Sequence, residues 1–324
     1  MPRFKTYVPH GVIPAALMAF NEDYSIDEPN ARKHLRDVAS VAGITAVTTN
    51  AHSSEVHACT FEEQQRILDF TMDEIGDKLP VINGIYTDGS HLAARIAKMA
   101  TAGGASALLV FPPHSIGQGN GQMRPEMAIS HFKTIADATD LPLIAFQYPF
   151  SIGYGYPLDT LLKIAEQVPS LKAIKDGCYD AVAHERHIHV LQSLSRPVNV
   201  LSTHSPWLMA SLTMGCNGLL SGSGSIIADL HVALWRAVQD KDLACAQRIN
   251  DRIYPTAQCF YAEPRADMHN RMKEALVMLG RLPRAVVRPP LAKITPPELE
   301  RIRKAIEQAG LTREGASILA AAAE

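Results

Sequence analysis

The sequence predicts an α/β fold, a (β/α)8 barrel of the TIM type with extra C-terminal helices. Short apolar runs of strand length alternate with amphipathic stretches from residue 11 to about residue 240. Eight such runs occur, each followed by a helical stretch rather than a hairpin turn, which indicates parallel strands. Eight strand–helix units close this kind of barrel. The alternative, an open doubly wound sheet, remains because a sequence cannot display closure.

The candidate strands are short apolar runs. They occupy residues 11–20, 44–50, 81–85, 107–113, 141–149, 171–177, 198–204 and 218–225.

Several intervening helices have recognisable ends. Residues 60–63, Thr-Phe-Glu-Glu, form a capping box that predicts the start of the helix after the second strand. Ser205 before Pro206 predicts an N-cap with proline in the first helical position. Gly43 and Gly103 predict helix ends.

The chain continues beyond the eighth unit. Thr295 before Pro296-Pro297-Glu298 is a second capping signature, at the last predicted helix. No long polar linker separates this part, so we expect a barrel over 1–228 and a helical appendix over 229–324 packed on it. The further helices are predicted over Asp229–Gln239, Asp242–Tyr261, Met268–Leu279 and Pro296–Ala309.

Composition narrows the class of protein. The net charge is −2 and there is no long cationic run, which argues against nucleic acid as a partner. The five cysteines are scattered without a CxxC pair, as is typical of reduced thiols. Neither the first residues nor any later segment has the apolar length of a signal peptide or a membrane span. We therefore expect a cytoplasmic protein with no membrane partner.

Lys175 is the most informative residue, because it ends the sixth predicted strand beside apolar neighbours. Strand residues two apart share a face, so Lys175 lies with Ala173, whereas Lys172 points the other way. A neutral lysine amine is the nucleophile of Schiff-base chemistry. At an ordinary pKa of about 10.4, only about one lysine in 2,500 is neutral at pH 7, and burial raises that fraction. From this run alone, a structural lysine is as reasonable as a catalytic one.

In a (β/α)8 barrel, catalytic side chains collect at the carboxyl ends of the strands. Six segments here follow one another in the order and spacing of one known family. They are Ala51–Glu55 for Gly-Thr-Thr-Gly-Glu, Thr60–Glu63 for Ser/Thr-x-Glu-Glu, Phe111–His114 for Pro-Tyr-Tyr, Phe146–Pro149 for Tyr-Asn-x-Pro, Ile174–Asp176 for Ile/Phe-Lys-Asp/Glu, and Val287–Leu291 for Arg-x-Pro-Leu. From Gly11 to about Leu311, the chain resembles the dihydrodipicolinate synthase / N-acetylneuraminate lyase family of class I, Schiff-base-forming lyases.

The resemblance implies that Lys175 forms an imine with a 2-oxo acid such as pyruvate, a chemistry that needs no metal or other cofactor. It implies that Ser53 and Ser54 surround the substrate carboxylate. Residues 222–225, Gly-Ser-Gly-Ser, resemble a phosphate cradle, but they lack the full glycine signature, so we expect this backbone to approach the imine closely instead. Ser221 and Gly222 are predicted to bind substrate. Family members are usually homotetramers, which the resemblance extends to this chain.

The departures from the family pattern concern proton transfer. Phe146 stands where the family has a proton-carrying tyrosine, His52 replaces a relay threonine, and His114 replaces a tyrosine that reaches in from a neighbouring subunit. Tyr148 shares a strand face with Phe146. The relay is therefore either lost or rebuilt from His52, His114 and Tyr148, since histidine titrates near neutral pH. Alternatively, each histidine only lines a loop. Glu55 is predicted to be a structural hydrogen-bond acceptor rather than a base.

Two branches of the family are disfavoured. Ser151 stands where the lysine-biosynthesis branch has an arginine that binds the aldehyde's carboxylate, and serine cannot make that bidentate contact. Residues 203–205, Thr-His-Ser, replace the Gly-Asp-Glu of the sialic-acid lyases. Phe146 and Ser151 are predicted to bind substrate. Sugar-acid dehydratases of the family depart from the same patterns as this chain, and Tyr148 lies farther out on the strand than Phe146. The resemblance therefore implies a dehydratase of 2-oxo-3-deoxy sugar acids or a hydroxy-oxo-acid aldolase, with Tyr148 or a histidine as acid/base.

Other interpretations stay open. A barrel that binds a 2-oxo acid as a sensor or structural subunit, without turnover, is the second hypothesis. A metal-dependent aldolase or hydrolase is the third. The run His184–His189 suggests a metal site, but it lacks a third ligand at zinc spacing, so we predict a solvent-exposed helix face instead.

Overall fold

A computed structural model describes residue 4 and residues 6–316. Its centre is a ring of parallel strands, each followed by at least one helix. The strands are β1 (Gly11–Pro14), β2 (Val47–Thr49), β3 (Val81–Ile85), β4 (Ala107–Val110), β5 (Leu143–Gln147), β6 (Leu171–Asp176), β7 (Asn199–Ser202) and β8 (Gly218–Ser221).

The sheet is hydrogen-bonded in the order β1-β8-β7-β6-β5-β4-β3-β2, with each adjacent pair parallel. Parallel bridges from Val12 to Ile44 and from Ala15 to Thr48 join β1 to the chain around β2. There the Ala16 N–H donates to the Thr48 carbonyl at 2.9 Å. These contacts complete the ring, so the predicted barrel is confirmed and the open sheet is wrong.

The helices lie outside the ring and at its C-terminal side. They are α1 (Glu28–Ala39), α2 (Phe61–Ile75), α3 (Ser90–Ala102), α4 (His114–Gly117), α5 (Pro125–Ala136), α6 (Leu158–Gln167), α7 (Ala181–Leu191), α8 (Leu208–Thr213), α9 (Gly224–Gln239), α10 (Leu243–Phe260), α11 (Met268–Met278) and α12 (Pro296–Gln308). Short 3₁₀ turns cover His52–Ser54, Val56–Ala58, Gly121–Met123, Phe150–Ile152, Ser205–Trp207 and Arg265–Asp267, and a small antiparallel pair joins β9 (Leu311–Thr312) to β10 (Gly315–Ala316).

The strands are shorter than the apolar runs that predicted them. The run 11–20 is buried throughout, yet β1 ends at Pro14. Beyond it, the Leu17 N–H donates to the side chain of Ser225 at 3.0 Å instead of to a neighbouring strand. An apolar run in the sequence indicates that a segment is buried. Whether the segment forms a strand depends on which groups accept hydrogen bonds from its backbone N–H groups.

Two of the predicted helix ends are confirmed. The Glu63 N–H donates to Thr60 Oγ1 at 3.2 Å, and the Thr60 N–H donates to Glu63 Oε2 at 3.0 Å, which completes the capping box. Gly103 is the C-cap of α3. The helix predicted over Asp242–Tyr261 is present as α10. The carboxylate of Asp242 accepts from the Cys245 N–H and caps this helix.

The other predicted helix ends are wrong in detail, at Ser205 and Glu298 because tertiary partners compete for the side chains. Ser205 begins a 3₁₀ turn, and its hydroxyl pairs with that of Ser221 at 3.0 Å, so α8 begins only at Leu208. Helix α1 ends at Ala39, four residues before Gly43. Thr295 does precede α12, but Glu298 accepts from Arg271 at 2.8 Å and no capping hydrogen bond forms.

The appended helices continue the barrel directly. Helix α9 packs against β1 and α10, and α10 packs against α12. An added Cβ at Gly224 would lie 2.9 Å from the Cα of Pro14, so glycine lets α9 begin directly against β1. Since α9 spans the predicted boundary at 228/229, the division into barrel and appendix stays a prediction.

Disulfides and membrane-spanning helices are both absent from the part of the chain that the structure describes. The five cysteines form no disulfide. None of the helices combines the length and apolarity that crossing a bilayer would require.

Arg288 ties the segment after α11 to the loops that carry the strand ends. Its guanidinium donates through both terminal nitrogens to the carboxylate of Glu63, at 2.7 and 2.5 Å. It also donates to the carbonyls of Tyr24 and Ala58, each at 2.7 Å. The contacts join four separate parts of the chain at the rim of the barrel.

We expect Arg288→Ala to lower the free energy of unfolding by about 2 kcal/mol, because a hydrogen bond to a charged group contributes about 1.5–3 kcal/mol. Urea denaturation at pH 7 measures the change. Arg303→Ala is the control: that exposed arginine pairs with Glu300 at 3.4 Å, and its loss should cost less than about 0.5 kcal/mol. Equal effects of the two variants would contradict the role given to Arg288.

Candidate active site

A cavity of about 870 Å³ opens at the carboxyl ends of the strands. Its walls come from residues at and after the ends of β2, β5, β6, β7 and β8, and from residues 261–272, which follow α10 and include the start of α11. Of the predicted site residues, the cavity brings together His52, Ser53, Phe146, Tyr148, Ser151, Lys175 and Gly222.

Lys175 points into this cavity from β6. The residue two before it, Ala173, belongs to the apolar cluster that fills the barrel interior, together with Ile144 and Leu201 from the flanking strands. The lysine side chain is 5% exposed, and its Nζ lies 4.1 Å from the ring centre of Phe146. Burial lowers the pKa of Lys175 from 10.5 to about 7. Within the described chain, the amine has no carboxylate partner, so a large part of it is neutral at pH 7.

A second buried lysine, Lys273 on α11, shows the opposite arrangement. Its ammonium pairs with Glu55 at 2.5 Å and donates to the carbonyl of Val286 at 2.6 Å. Glu55 also accepts from the Arg288 N–H at 2.9 Å. The predicted structural role of Glu55 as a hydrogen-bond acceptor is therefore confirmed. Burial lowers the pKa of Lys273 as well, but Glu55 opposes this shift, which it does not do at Lys175.

The turn after β2 is shaped to present His52 and Ser53. Asn50 has a left-handed backbone (φ +49°), and its amide donates to Asn83 Oδ1 and to the Gln64 carbonyl, both at 2.8 Å. Gly84 on β3 lies so close that an added Cβ would be 1.9 Å from the Asn50 oxygen. The Ser53 hydroxyl donates to the Ala15 carbonyl at 3.0 Å, which anchors this turn to β1.

Phe146 and Tyr148 form an aromatic wall beside the amine. Their ring centres are 4.2 Å apart. Burial raises the pKa of the Tyr148 hydroxyl well above its ordinary value. No described residue hydrogen-bonds to this hydroxyl, so it is a protonated donor available to a ligand.

His52 borders the cavity as part of a histidine cluster with His57 and His269. The rings of His52 and His269 are 4.9 Å apart, and His269 Nε2 lies 2.6 Å from the carbonyl of His52. Burial, reinforced by the neighbouring charges of His269 and Lys175, lowers the pKa of His52 well below its ordinary value. His52 is therefore neutral at pH 7.

Three predicted site residues do not border the cavity. His114 lies one layer further out, with its ring centre 6.1 Å from that of Tyr148. The Ser54 hydroxyl accepts from the Ala51 N–H at 2.7 Å. The Ser221 hydroxyl lies 3.0 Å from those of Ser205 and Ser223. The roles proposed for these three side chains stay predictions, to which the geometry adds no contact with a ligand.

Residues 261–272 supply a wall that the sequence did not predict. The Tyr261 hydroxyl accepts from the Ser223 N–H at 3.1 Å, which binds this segment to the turn after β8. Met272 reaches the floor, with its sulfur 3.9 Å from the Cβ position at Gly222. The sequence predicted that the C-terminal helices pack on the barrel, but no motif indicated that residues 261–272 line the cavity.

The predicted solvent-exposed face of the run His184–His189 is wrong. His184 and His187 are buried, and Nδ1 of each lies within 2.9 Å of Asp176 Oδ2. They share an inward face of α7 with Ile188 and Leu191, a 1-4-5-8 spacing that should have predicted burial. Although burial opposes ionisation, these hydrogen bonds hold the pKa of Asp176 below its ordinary value.

Asp176, Cys178 and His204 place potential metal-ligand atoms within 4.8 Å of one another behind the lysine strand. Their polar atoms already have partners: Asp176 accepts from both histidines and from the Cys178 N–H, and His204 Nε2 accepts from the Tyr179 N–H at 3.2 Å. This group is therefore a hydrogen-bonded network beneath the cavity.

Comparison with known proteins agrees with this architecture. A curated 4-hydroxy-tetrahydrodipicolinate synthase from Gluconacetobacter diazotrophicus is 28% identical over 302 residues, covering 93% of this chain and 97% of the relative. YagE of Escherichia coli K12, provisionally named 2-dehydro-3-deoxy-D-gluconate aldolase, is 25% identical over 92% of this chain and 96% of its own length.

Solved structures show the same fold. YagE in complex with pyruvate superposes with a TM-score of 0.84 at 22% identity, covering 93% of this chain and 98% of that structure. A dihydrodipicolinate synthase from Thermotoga maritima gives a TM-score of 0.85 at 19% identity, covering 94% and 99%. The model of the dihydrodipicolinate synthetase family matches residues 8–309. The chain belongs to the dihydrodipicolinate synthetase family.

Proposed function

We propose that this lyase acts on a 2-oxo acid through an imine at Lys175. The observation that carries the proposal is the buried amine, with a pKa of about 7 and no carboxylate partner within the described chain, in a cavity at the strand ends. The pyruvate complex of YagE supports a 2-oxo acid as ligand. Condensation of the amine with the ketone releases water and leaves a bond that withdraws electrons from the neighbouring carbons.

Other residues around Lys175 would bind the substrate carboxylate and transfer protons. Ser53 and Gly222 lie on the side of the cavity where the carboxylate of the 2-oxo acid would fit, with the two loops close together. Tyr148 stays protonated and can donate a proton to a substrate oxygen, whereas neutral His52 can accept one. His114 could reach the substrate only through Tyr148 or a water molecule.

The reaction is an aldol cleavage or condensation, or a dehydration of a 2-oxo-3-deoxy acid. The relatives named above point to both synthase and aldolase activity. Because Ser151 lines the cavity in place of an arginine, we do not expect efficient use of aspartate semialdehyde. Assembly as a tetramer and a cytoplasmic location remain predictions; light scattering after gel filtration tests the first.

A catalytically impaired 2-oxo-acid binder is the alternative, and Phe146 in place of the family's tyrosine is its support. It predicts an adduct at Lys175 without turnover. A panel of 2-oxo acids, followed by detection of released pyruvate or of a dehydrated product, separates the two functions.

Lys175→Ala should abolish turnover and the pyruvate adduct that borohydride traps, while circular dichroism shows an intact fold. The expected cause is loss of the nucleophile. Lys172→Ala is the matched control, because Lys172 lies on the same strand but points away from the cavity and should retain both properties. An adduct that maps to Lys172 would refute the assignment.

Imine formation should follow the titration of Lys175. Since only the neutral amine attacks, its rate should rise about tenfold per pH unit below pH 7 and level off above it, because the pKa is about 7. Cyanoborohydride trapping of pyruvate between pH 5.5 and 10, followed by intact mass, measures this. A rate that keeps rising toward pH 10 would mean an ordinary lysine pKa.

Tyr148→Phe should lower turnover about 10²–10⁴-fold, the range expected for loss of a general acid or base. It should still form the trapped pyruvate adduct, because Lys175 is unchanged. Steady-state kinetics and mass spectrometry report the two properties. If the variant turns over at the wild-type rate, Tyr148 has no part in proton transfer, and His52 and His114 become the candidates.

A further inference from the structure

We infer that the partner of pyruvate in this reaction is an uncharged aldehyde with a large apolar group, such as an aromatic aldehyde. This inference rests on the function proposed above and adds the substrate class. It replaces the expectation of a sugar acid, which came from the resemblance alone.

The size of the cavity is the first support. Pockets of about 300–1,000 Å³ enclose ligands much larger than pyruvate, and this one is about 870 Å³. Pyruvate bound at Lys175 would occupy only its floor. The remaining volume lies between the segment after β5 and α11, where the second reactant has to fit.

The walls of that volume are predominantly apolar. Phe146 and Tyr148 stand on one side, and Met268 and Met272 of α11 also line the cavity. The polar side chains among the lining residues include Ser151, Tyr179, Asp180, Thr203 and Tyr261. At the rim, Phe150 and Ile152 are 45% and 49% exposed. Large apolar side chains left exposed beside a cavity are typical of a ligand-binding surface. Hydroxyl groups of a sugar placed against Phe146, Met268 and Met272 would lose water without gaining a hydrogen-bond partner from these side chains, at a cost in free energy.

The charges around the cavity do not favour an acidic aldehyde. Among the described lining residues, Lys175 is the only lysine and Arg265 is the only arginine. Its Nε pairs with Glu263 at 3.2 Å, and its guanidinium lies 4.2 Å from the ring centre of Tyr179. Glu263 therefore balances its charge. Ser151, which also lines the cavity, is uncharged, and Asp180 adds a further carboxylate to the lining.

The reaction balances without a further reactant. The amine and pyruvate form the imine and release one water, and loss of a proton from the methyl carbon gives the enamine. That carbon bonds to the aldehyde carbon while the aldehyde oxygen takes up the proton. Hydrolysis consumes one water, releases a 4-hydroxy-2-oxo acid and restores Lys175; cleavage is the reverse.

The test uses the wild-type protein with pyruvate and, separately, benzaldehyde, D-glyceraldehyde or aspartate semialdehyde. Mass spectrometry quantifies the 4-hydroxy-2-oxo acids. We expect kcat/KM for benzaldehyde to exceed the other two values by at least about tenfold, the usual scale of discrimination by an apolar pocket. If pyruvate is trapped at Lys175 but another aldehyde is preferred, or benzaldehyde gives no product, this inference is wrong and the proposed lyase survives. Failure to trap pyruvate would instead overturn the proposed function.

Variants at the rim localise the preference. Phe150→Ser and Ile152→Ser should each lower the ratio of kcat/KM for benzaldehyde over glyceraldehyde by about tenfold. Leu243→Ser is the control, since Leu243 is 57% exposed on α10 and does not line the cavity. Thermal denaturation checks that each variant is folded. An unchanged ratio in both rim variants would contradict the inference.

Discussion

The site depends on one constraint, the burial of the Lys175 amine without a counter-charge. Transferring an ammonium from water to the interior costs several kcal/mol unless a partner offsets it. The protein reduces this cost by favouring the neutral amine, which lowers the pKa to about 7. The Phe146 ring, whose centre lies 4.1 Å from the amine, cannot act as an acid. The apolar surroundings that make the lysine reactive are the same ones that define the rest of the cavity.

Other buried cations in the described chain show how specific this arrangement is. Lys273 is paired with Glu55, Arg271 with Glu298, and Arg288 with Glu63. These pairs link residues after α10 to the turn after β2, and α11 to α12. They hold residues 261–272 over the strand ends. The segments after the barrel are therefore part of the site rather than an addition to it.

The alternation of side chains along β6 explains why Asp176 does not neutralise its neighbour. Lys175 points into the barrel, whereas Asp176 points outward to α7, where His184 and His187 donate to its carboxylate. The amine of Lys175, with its lowered pKa, and the hydrogen-bonded carboxylate of Asp176 therefore lie on opposite faces of the same strand. The polar network outside the barrel leaves the cavity side apolar.

Much of this organisation could be predicted from the sequence alone. Apolar runs at regular intervals specified eight parallel strands and hence the barrel, because burial on both faces imposes that composition. The alternation within β6 specified which lysine faces inward, and the capping box at Thr60 was a local pattern with a local cause. Tertiary structure decided the rest. The partner of Lys273, the loss of the Ser205 cap and the wall formed by Met268 and Met272 all depend on residues distant in the sequence. The burial of His184 and His187, by contrast, could have been predicted from their spacing on α7. A local sequence pattern indicates which side chains of a segment are buried. The residues that those side chains contact are decided only by the tertiary fold, because they come from distant parts of the chain.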